Sequence, residues 1–198
     1  MTSPIEAIAA LRAGALVVFP TETVYGIGAD ARSEVAVERL VAIRGREAGK
    51  PVLVLVADAD MAATLAAEFP DPARRLAARF WPGPLTLVLP ARDGLPAPIT
   101  AGTGTVGLRV PGHPLARALA AELGRAVTAP SANPPGAEPP RTLAAARAYF
   151  GARVAVYVDG GALPGGASTV AAVDAAGVRV LRAGAIAESA LRAALEAR

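Results

Sequence analysis

The sequence predicts an α/β fold in which a sheet of mixed direction is flanked by helices. Three observations carry that expectation. Helical-period apolar runs alternate with short valine- and leucine-rich runs in the first half, the second half is richer in strand-like runs, and no strict strand-helix order persists to the end. A strictly doubly wound parallel sheet is therefore not expected. The 198 residues, 53% of them apolar, suffice for one continuous core, so residues 1–198 are expected to form a single domain. The 20 glycines and 18 prolines lie between periodic segments and read as turns, not as a low-complexity linker.

Ser3, Pro4 and Glu6 make a Ser-x-x-Glu capping box with proline at the first helical position, predicting a helix over roughly 4–13 that ends at Gly14. Residues 15–19 are a short apolar run, read as a buried strand that delivers the chain into the polar loop Pro20-Thr21-Glu22-Thr23-Val24-Tyr25-Gly26. Ser33 can cap a second helix, whose apolar positions Val35, Val37, Leu40 and Val41 lead to a basic last turn at Arg44-Gly45-Arg46. A second buried strand is expected over 52–56, an alanine-rich helix near 59–68, and another helix from Asp71-Pro72 to Trp81-Pro82-Gly83-Pro84.

Residues 85–89 and 105–110 read as strands joined by a glycine-rich loop, and 114–123 as a helix closed by Gly124. A short strand at 126–128 precedes Ala129-Pro130-Ser131-Ala132-Asn133-Pro134-Pro135-Gly136, too rich in proline for regular structure. Strands over 154–158, 169–173 and 178–181 and a helix over about 187–197 complete the expectation. No internal repeat is found.

Twenty basic against 17 acidic residues give a net charge of +3, too modest to imply wholesale nucleic-acid binding. With no cysteine there is no disulfide framework, thiolate nucleophile or cysteine zinc site, and the single His113 disfavours multi-histidine metal sites. His113 precedes Pro114 at a helix start, where capping is the expected role. The N-terminus lacks the pattern of a signal peptide, and no apolar stretch nears the ~20 residues of a membrane span, so a soluble, cytoplasmic protein is expected.

Four segments could carry chemistry. The loop 20–26 offers two threonine hydroxyls at a strand end, to grip a polar ligand or to satisfy a local turn. Arg44, Arg46 and the only lysine, Lys50, place three cations within seven residues, suited to phosphate or to an ordinary helix C-terminus. Ser131 and Asn133 sit in a loop stiffened by Pro130, Pro134 and Pro135, either as ligand contacts or as turn formers. Arg109, within the apolar run Leu108-Arg109-Val110, needs water, a carboxylate or a ligand, and Arg182 poses the same choice. No P-loop and no complete dinucleotide fingerprint is present.

Together, Pro-Thr-Glu-Thr-Val-Tyr-Gly, Arg44-x-Arg46 with Lys50-Pro51, Phe80-Trp81-Pro82-Gly83-Pro84, Arg109-Val110-Pro111, Pro130-Ser131-Ala132-Asn133, Ser168-Thr169 and Leu181-Arg182-x-Gly184 resemble the YrdC-like family, in the family's order and over roughly residues 10–187. The resemblance is to its short single-domain form. It implies a YrdC-like twisted mixed sheet flanked by helices, with a concave basic pocket, and a nucleotidyltransferase that makes threonylcarbamoyl-AMP and pyrophosphate from L-threonine, bicarbonate and ATP, with Mg²⁺ accompanying ATP. Hand-over to a transferase that modifies tRNA is implied too.

By motif position the resemblance makes Thr23, Arg109, Ala129 and Ser168 threonine contacts, and Arg44, Arg46, Lys50, Thr105, Ser131, Asn133 and Arg182 nucleotide contacts. It assigns no acid or base and no protein metal ligand. Arg44 stands where the family usually has lysine, and Leu55 where some relatives carry histidine. Two rival readings are an RNA-binding maturation factor that holds tRNA or double-stranded RNA without catalysis, and a paralogue that forms carbamoyl-AMP from another donor.

Overall fold

The computed structural model describes residues 4–45 and 49–196. The expected Ser3 cap and Arg46 lie outside them. The chain enters through helix α1 (Pro4–Arg12), whose Ala7, Ile8 and Leu11 are buried at one-turn spacing. Strand β1 (Val17–Pro20) then folds back antiparallel onto β2 (Tyr25–Gly28), with Pro20 opposite Tyr25. The polar loop is therefore a hairpin tip, closed by Thr21 N–H to Val24 O at 3.2 Å. Its last two residues, expected as loop, are the first of β2. On the other edge of β1, β7 (Val156–Tyr157) pairs parallel, giving the sheet order β2-β1-β7.

A second sheet has the order β6-β3-β5-β4-β8-β9. Its strands are β3 (Val54–Leu55), β4 (Leu85–Pro90), β5 (Thr105–Arg109), β6 (Val127–Thr128), β8 (Thr169–Asp174) and β9 (Gly177–Arg182). The pairs β3/β5 and β4/β8 are parallel; β3/β6, β4/β5 and β8/β9 are antiparallel. The mixed direction was foreseen; its division between two sheets was not. Register places Leu55 beside Arg109 and Thr86 beside Val170, so the ends of β3 and β5 and the starts of β4 and β8 lie at the same edge of the sheet.

Helix α2 (Glu34–Arg44) begins as expected, with Ser33 Oγ accepting from Ala36 N–H, and α6 (Pro114–Leu123) is capped by His113 Nδ1, which accepts from Leu115 N–H. Helix α4 spans Asp71–Phe80 and α8 Glu188–Glu196, near the expected ranges. Two expectations contract. The helix near 59–68 is only α3 (Ala59–Ala63), ended where Thr64 turns its hydroxyl back onto Met61 O, and the strand over 52–56 pairs only at 54 and 55. The glycine-rich loop expected between the strands at 85–89 and 105–110 also contains the short helix α5 (Ala97–Thr100).

Helix α7 (Leu143–Phe150), capped by Thr142, was not foreseen. It buries Ala146 and Phe150 against Tyr25, Ile27 and Leu40 from β2 and α2. A separate apolar cluster joins α1, α6 and β1, and the largest lies on the six-stranded sheet beneath α4 and α8.

Candidate active site

A cavity of about 740 Å³ opens where the hairpin tip, the end of α2, the strands of the large sheet and the proline-rich loop converge. Every expected site residue that the structure describes lines it: Thr23, Arg44, Lys50, Thr105, Arg109, Ala129, Ser131, Asn133, Ser168 and Arg182. The volume is that of a typical small-molecule or cofactor site. Among the described lining residues four are basic and none is Asp or Glu, so the wall favours an anionic ligand.

At the hairpin tip Thr21 serves the turn. Its Oγ1 donates to Val24 O at 2.7 Å and accepts from Thr23 N–H, while Thr23 Oγ1 lies 3.0 Å from it. Thr21 thus fixes the rotamer of Thr23, which faces the cavity. Tyr25 packs in the core, its hydroxyl donating to Gly161 O and accepting from Gly160 N–H, and is no part of the cavity.

Arg109, at the last position of β5, is only 3% exposed. Of the outcomes open to it, water is excluded, and it has a carboxylate: Nη2 lies 2.5 Å from Glu22 Oε1, and Nε donates to Gly83 O at 3.1 Å. Burial raises the Glu22 carboxyl pKa, but the adjacent Arg109 charge and the hydrogen bond from Gly112 N–H outweigh it and hold the carboxyl below its ordinary value.

Ser168 is buried just ahead of β8, where its Oγ sits 3.1 Å from Thr86 Oγ1 and accepts from Arg182 Nη2 at 2.9 Å. Burial, with the nearby Arg109 charge, pushes the Arg182 guanidinium pKa down from its usual value without making it a neutral group. Gly184 makes this joint possible. A Cβ there would collide with the backbone of Ala167, Ser168 and Thr169, which explains the spacing Arg182-x-Gly184.

The proline-rich loop is docked as an extra bridge on β2, with Ile27 N–H donating to Pro130 O and Ala132 N–H to Tyr25 O. Asn133 staples it from within, its amide donating to Pro134 O and Ala137 O at 2.9 Å each. Both Asn133 donors are thereby spent on the loop, while its buried Oδ1 has no hydrogen-bond partner and the residue lines the cavity. Arg44 Nε donates to Ser131 O at 3.0 Å, tying α2 to the same loop. Thr105 Oγ1 lies 2.8 Å from Thr103 Oγ1, and Ala129 N–H is spent on Leu53 O. Leu55 is fully buried and adds apolar wall beside Arg109.

Sequence reasoning missed Thr86, which lines the cavity and meets Ser168 across 82 positions. A threonine inside an apolar strand was its only local signal. Among the described residues no cluster of three or more His, Cys, Asp or Glu could hold a metal ion. No helix among them is long and apolar enough to cross a membrane.

A model of the family described as Telomere recombination (Sua5_yciO_yrdC) matches residues 9–184. A protein of Pyrococcus abyssi named threonylcarbamoyl-AMP synthase is 44% identical over 151 residues, which are 76% of this chain and 44% of that protein. One of the same name from Halorhodospira halophila is 39% identical over 155 residues, 78% of this chain and 81% of its own. The chain spans less than half the length of the P. abyssi and Bacillus subtilis relatives. Among solved structures, P. abyssi Sua5 complexed with L-threonine superposes with a TM-score of 0.92 at 38% identity, covering 97% of this chain and 57% of that one. E. coli YciO superposes at 0.85 with 25% identity, covering 95% and 92%.

Proposed function

We propose that this chain, which belongs to the Sua5/YciO/YrdC family, forms threonylcarbamoyl-AMP and pyrophosphate from L-threonine, bicarbonate and ATP. The observation that carries the reading is the convergence of ten expected contact residues, drawn from segments spread over the whole chain, on one cavity without an acidic side chain among its described lining. The P. abyssi relative of known structure was solved with L-threonine, which supports the amino-acid half.

In this reading threonine lies by Thr23, Ala129, Arg109 and Ser168, its carboxylate on the guanidinium of Arg109. Its amine captures bicarbonate as a carbamate with loss of water. A carbamate oxygen then attacks the α-phosphorus of ATP, and the bond from that phosphorus to the α,β-bridging oxygen breaks as pyrophosphate leaves. Arg44, Lys50 and Arg182, with Arg46, offset the charge spreading over the phosphate oxygens, and Thr105 and Ser131 position the nucleotide. Holding two reactants in line supplies the remaining rate advantage, so no side-chain acid or base is required.

The cavity wall offers hydroxyls and cations and no carboxylate among its described residues, which does not fit a resident Mg²⁺. Mg²⁺ belongs to the reading only as the companion of ATP, bound by its phosphates. The product passes to a transferase that modifies tRNA, in the cytoplasm where ATP and tRNA occur. The test is incubation with carbon-labelled bicarbonate, threonine and ATP: the label must appear in an adenylate that contains threonine, and label confined to an adenylate without threonine would favour the carbamoyl-AMP reading.

A further inference from the structure

The Arg109 guanidinium is held from two places distant in sequence. Nε donates to Gly83 O in the turn after α4, at 3.1 Å, and Gly83 N–H donates back to Val110 O at 2.9 Å. Nη2 is ion-paired with Glu22 Oε1 from the hairpin tip, and that same oxygen accepts from Gly112 N–H at 2.9 Å. The Trp81-Pro82-Gly83-Pro84 and Thr-Glu-Thr motifs, unexplained by local structure, thus meet on one cation.

Glu22 itself does not line the cavity, although Thr21, Thr23, Val24 and Arg109 do. Its carboxylate stands behind the guanidinium. Its second oxygen, Oε2, is buried with no hydrogen-bond partner, and Arg109 Nη2 meets Oε1 as a close ion pair without hydrogen-bond geometry, a cost accepted where the charge is needed to neutralise Arg109.

We propose that Glu22 is a positioning residue for Arg109: it anchors the guanidinium from behind, so that the edge facing the cavity meets the carboxylate of the substrate amino acid in line. The proposal rests on the reading that Arg109 is that carboxylate's contact. Two effects oppose each other. Glu22 offsets part of the Arg109 charge and so weakens its pull on an anion, yet it also fixes the direction of the donors. Charge-assisted bonds weaken steeply off axis, so direction decides. Loss of the Glu22 charge therefore weakens threonine binding.

The test compares wild type with Glu22→Gln, which keeps shape and the acceptor for Gly112 N–H, with Glu22→Asp and with Arg109→Ala. Pyrophosphate release gives KM for threonine and for ATP, calorimetry gives threonine affinity, and thermal unfolding reports folding. Glu22→Gln is expected to raise the threonine KM about tenfold while the ATP KM stays within about twofold, a split that a merely structural lesion would not produce. Glu22→Asp, which keeps the charge on a shorter stem, shows the same split at smaller amplitude and serves if Glu22→Gln does not fold. An unchanged or lowered threonine KM in Glu22→Gln, or equal losses for both substrates in either Glu22 variant, overturns the proposal while Arg109→Ala still raises the threonine KM. If Arg109→Ala leaves the threonine KM unchanged, the carboxylate reading falls, and the proposal with it.

Discussion

Arg182 of β9 holds Ser168 by three hydrogen bonds: Nε and Nη2 donate to the Ser168 carbonyl at 3.2 and 3.0 Å, and Nη2 donates to its hydroxyl at 2.9 Å. A fork of fixed geometry thereby sets both the backbone and the rotamer of a serine that stands just ahead of the neighbouring strand β8. The residue assigned to the nucleotide and the residue assigned to threonine are parts of one unit.

Arg182→Ala should therefore damage both halves of the site, lowering kcat/KM for ATP about a hundredfold and raising the threonine KM as well. Arg182→Lys keeps a charge but loses the fork, and should recover ATP use better than threonine use. Steady-state pyrophosphate release with each substrate varied in turn checks this.

Gly184→Ala should be more harmful than its size suggests. The added methyl would press on the 167–169 backbone and push Ser168 off its partners, costing about 1–3 kcal/mol in unfolding free energy and most of the turnover. Urea unfolding and activity, measured on the same preparation, separate the two losses.

Asn133→Asp should unfasten the proline-rich loop, because two amide donors that meet Pro134 O and Ala137 O would be replaced by an acceptor. The expected loss is about 1–3 kcal/mol of stability, with a raised ATP KM and a near-normal threonine KM. Proteolysis within 130–139 would rise in parallel.

His113 gives a pH signature. Burial lowers its pKa, and the Glu22 charge opposes this only in part, so the folded state favours the neutral ring whose Nδ1 caps α6. The folded pKa lies below the ordinary 6.5, so the capping contribution is complete above about pH 6.5 and is lost as pH falls through the folded value. His113→Asn, a cap that does not titrate there, should flatten the stability profile between about pH 7.5 and 5 by up to about 1 kcal/mol. Urea midpoints across that range are the measurement.

The parts of the fold that were legible had local chemistry: the Ser33 cap, the Pro114 start and Gly124 stop of α6, and the apolar runs that became β4, β5 and β8. Strand β2 was hidden because Tyr25-Gly26-Ile27-Gly28 has two glycines and owes its form to β1 and to the 130–132 loop. In the site, residues that line the cavity were legible through the order of motifs. The supports were not. Glu22 behind Arg109, Thr86 beside Ser168 and the Gly83 carbonyl are defined by partners far away in sequence, and no local pattern encodes such a pairing.

The central claim is most directly tested by pyrophosphate release from ATP by the purified chain, with threonine and bicarbonate supplied together, singly or not at all. The account predicts release only when both are present, and its loss in Arg109→Ala. Release indifferent to threonine, or tRNA binding with no turnover under any combination, would contradict it.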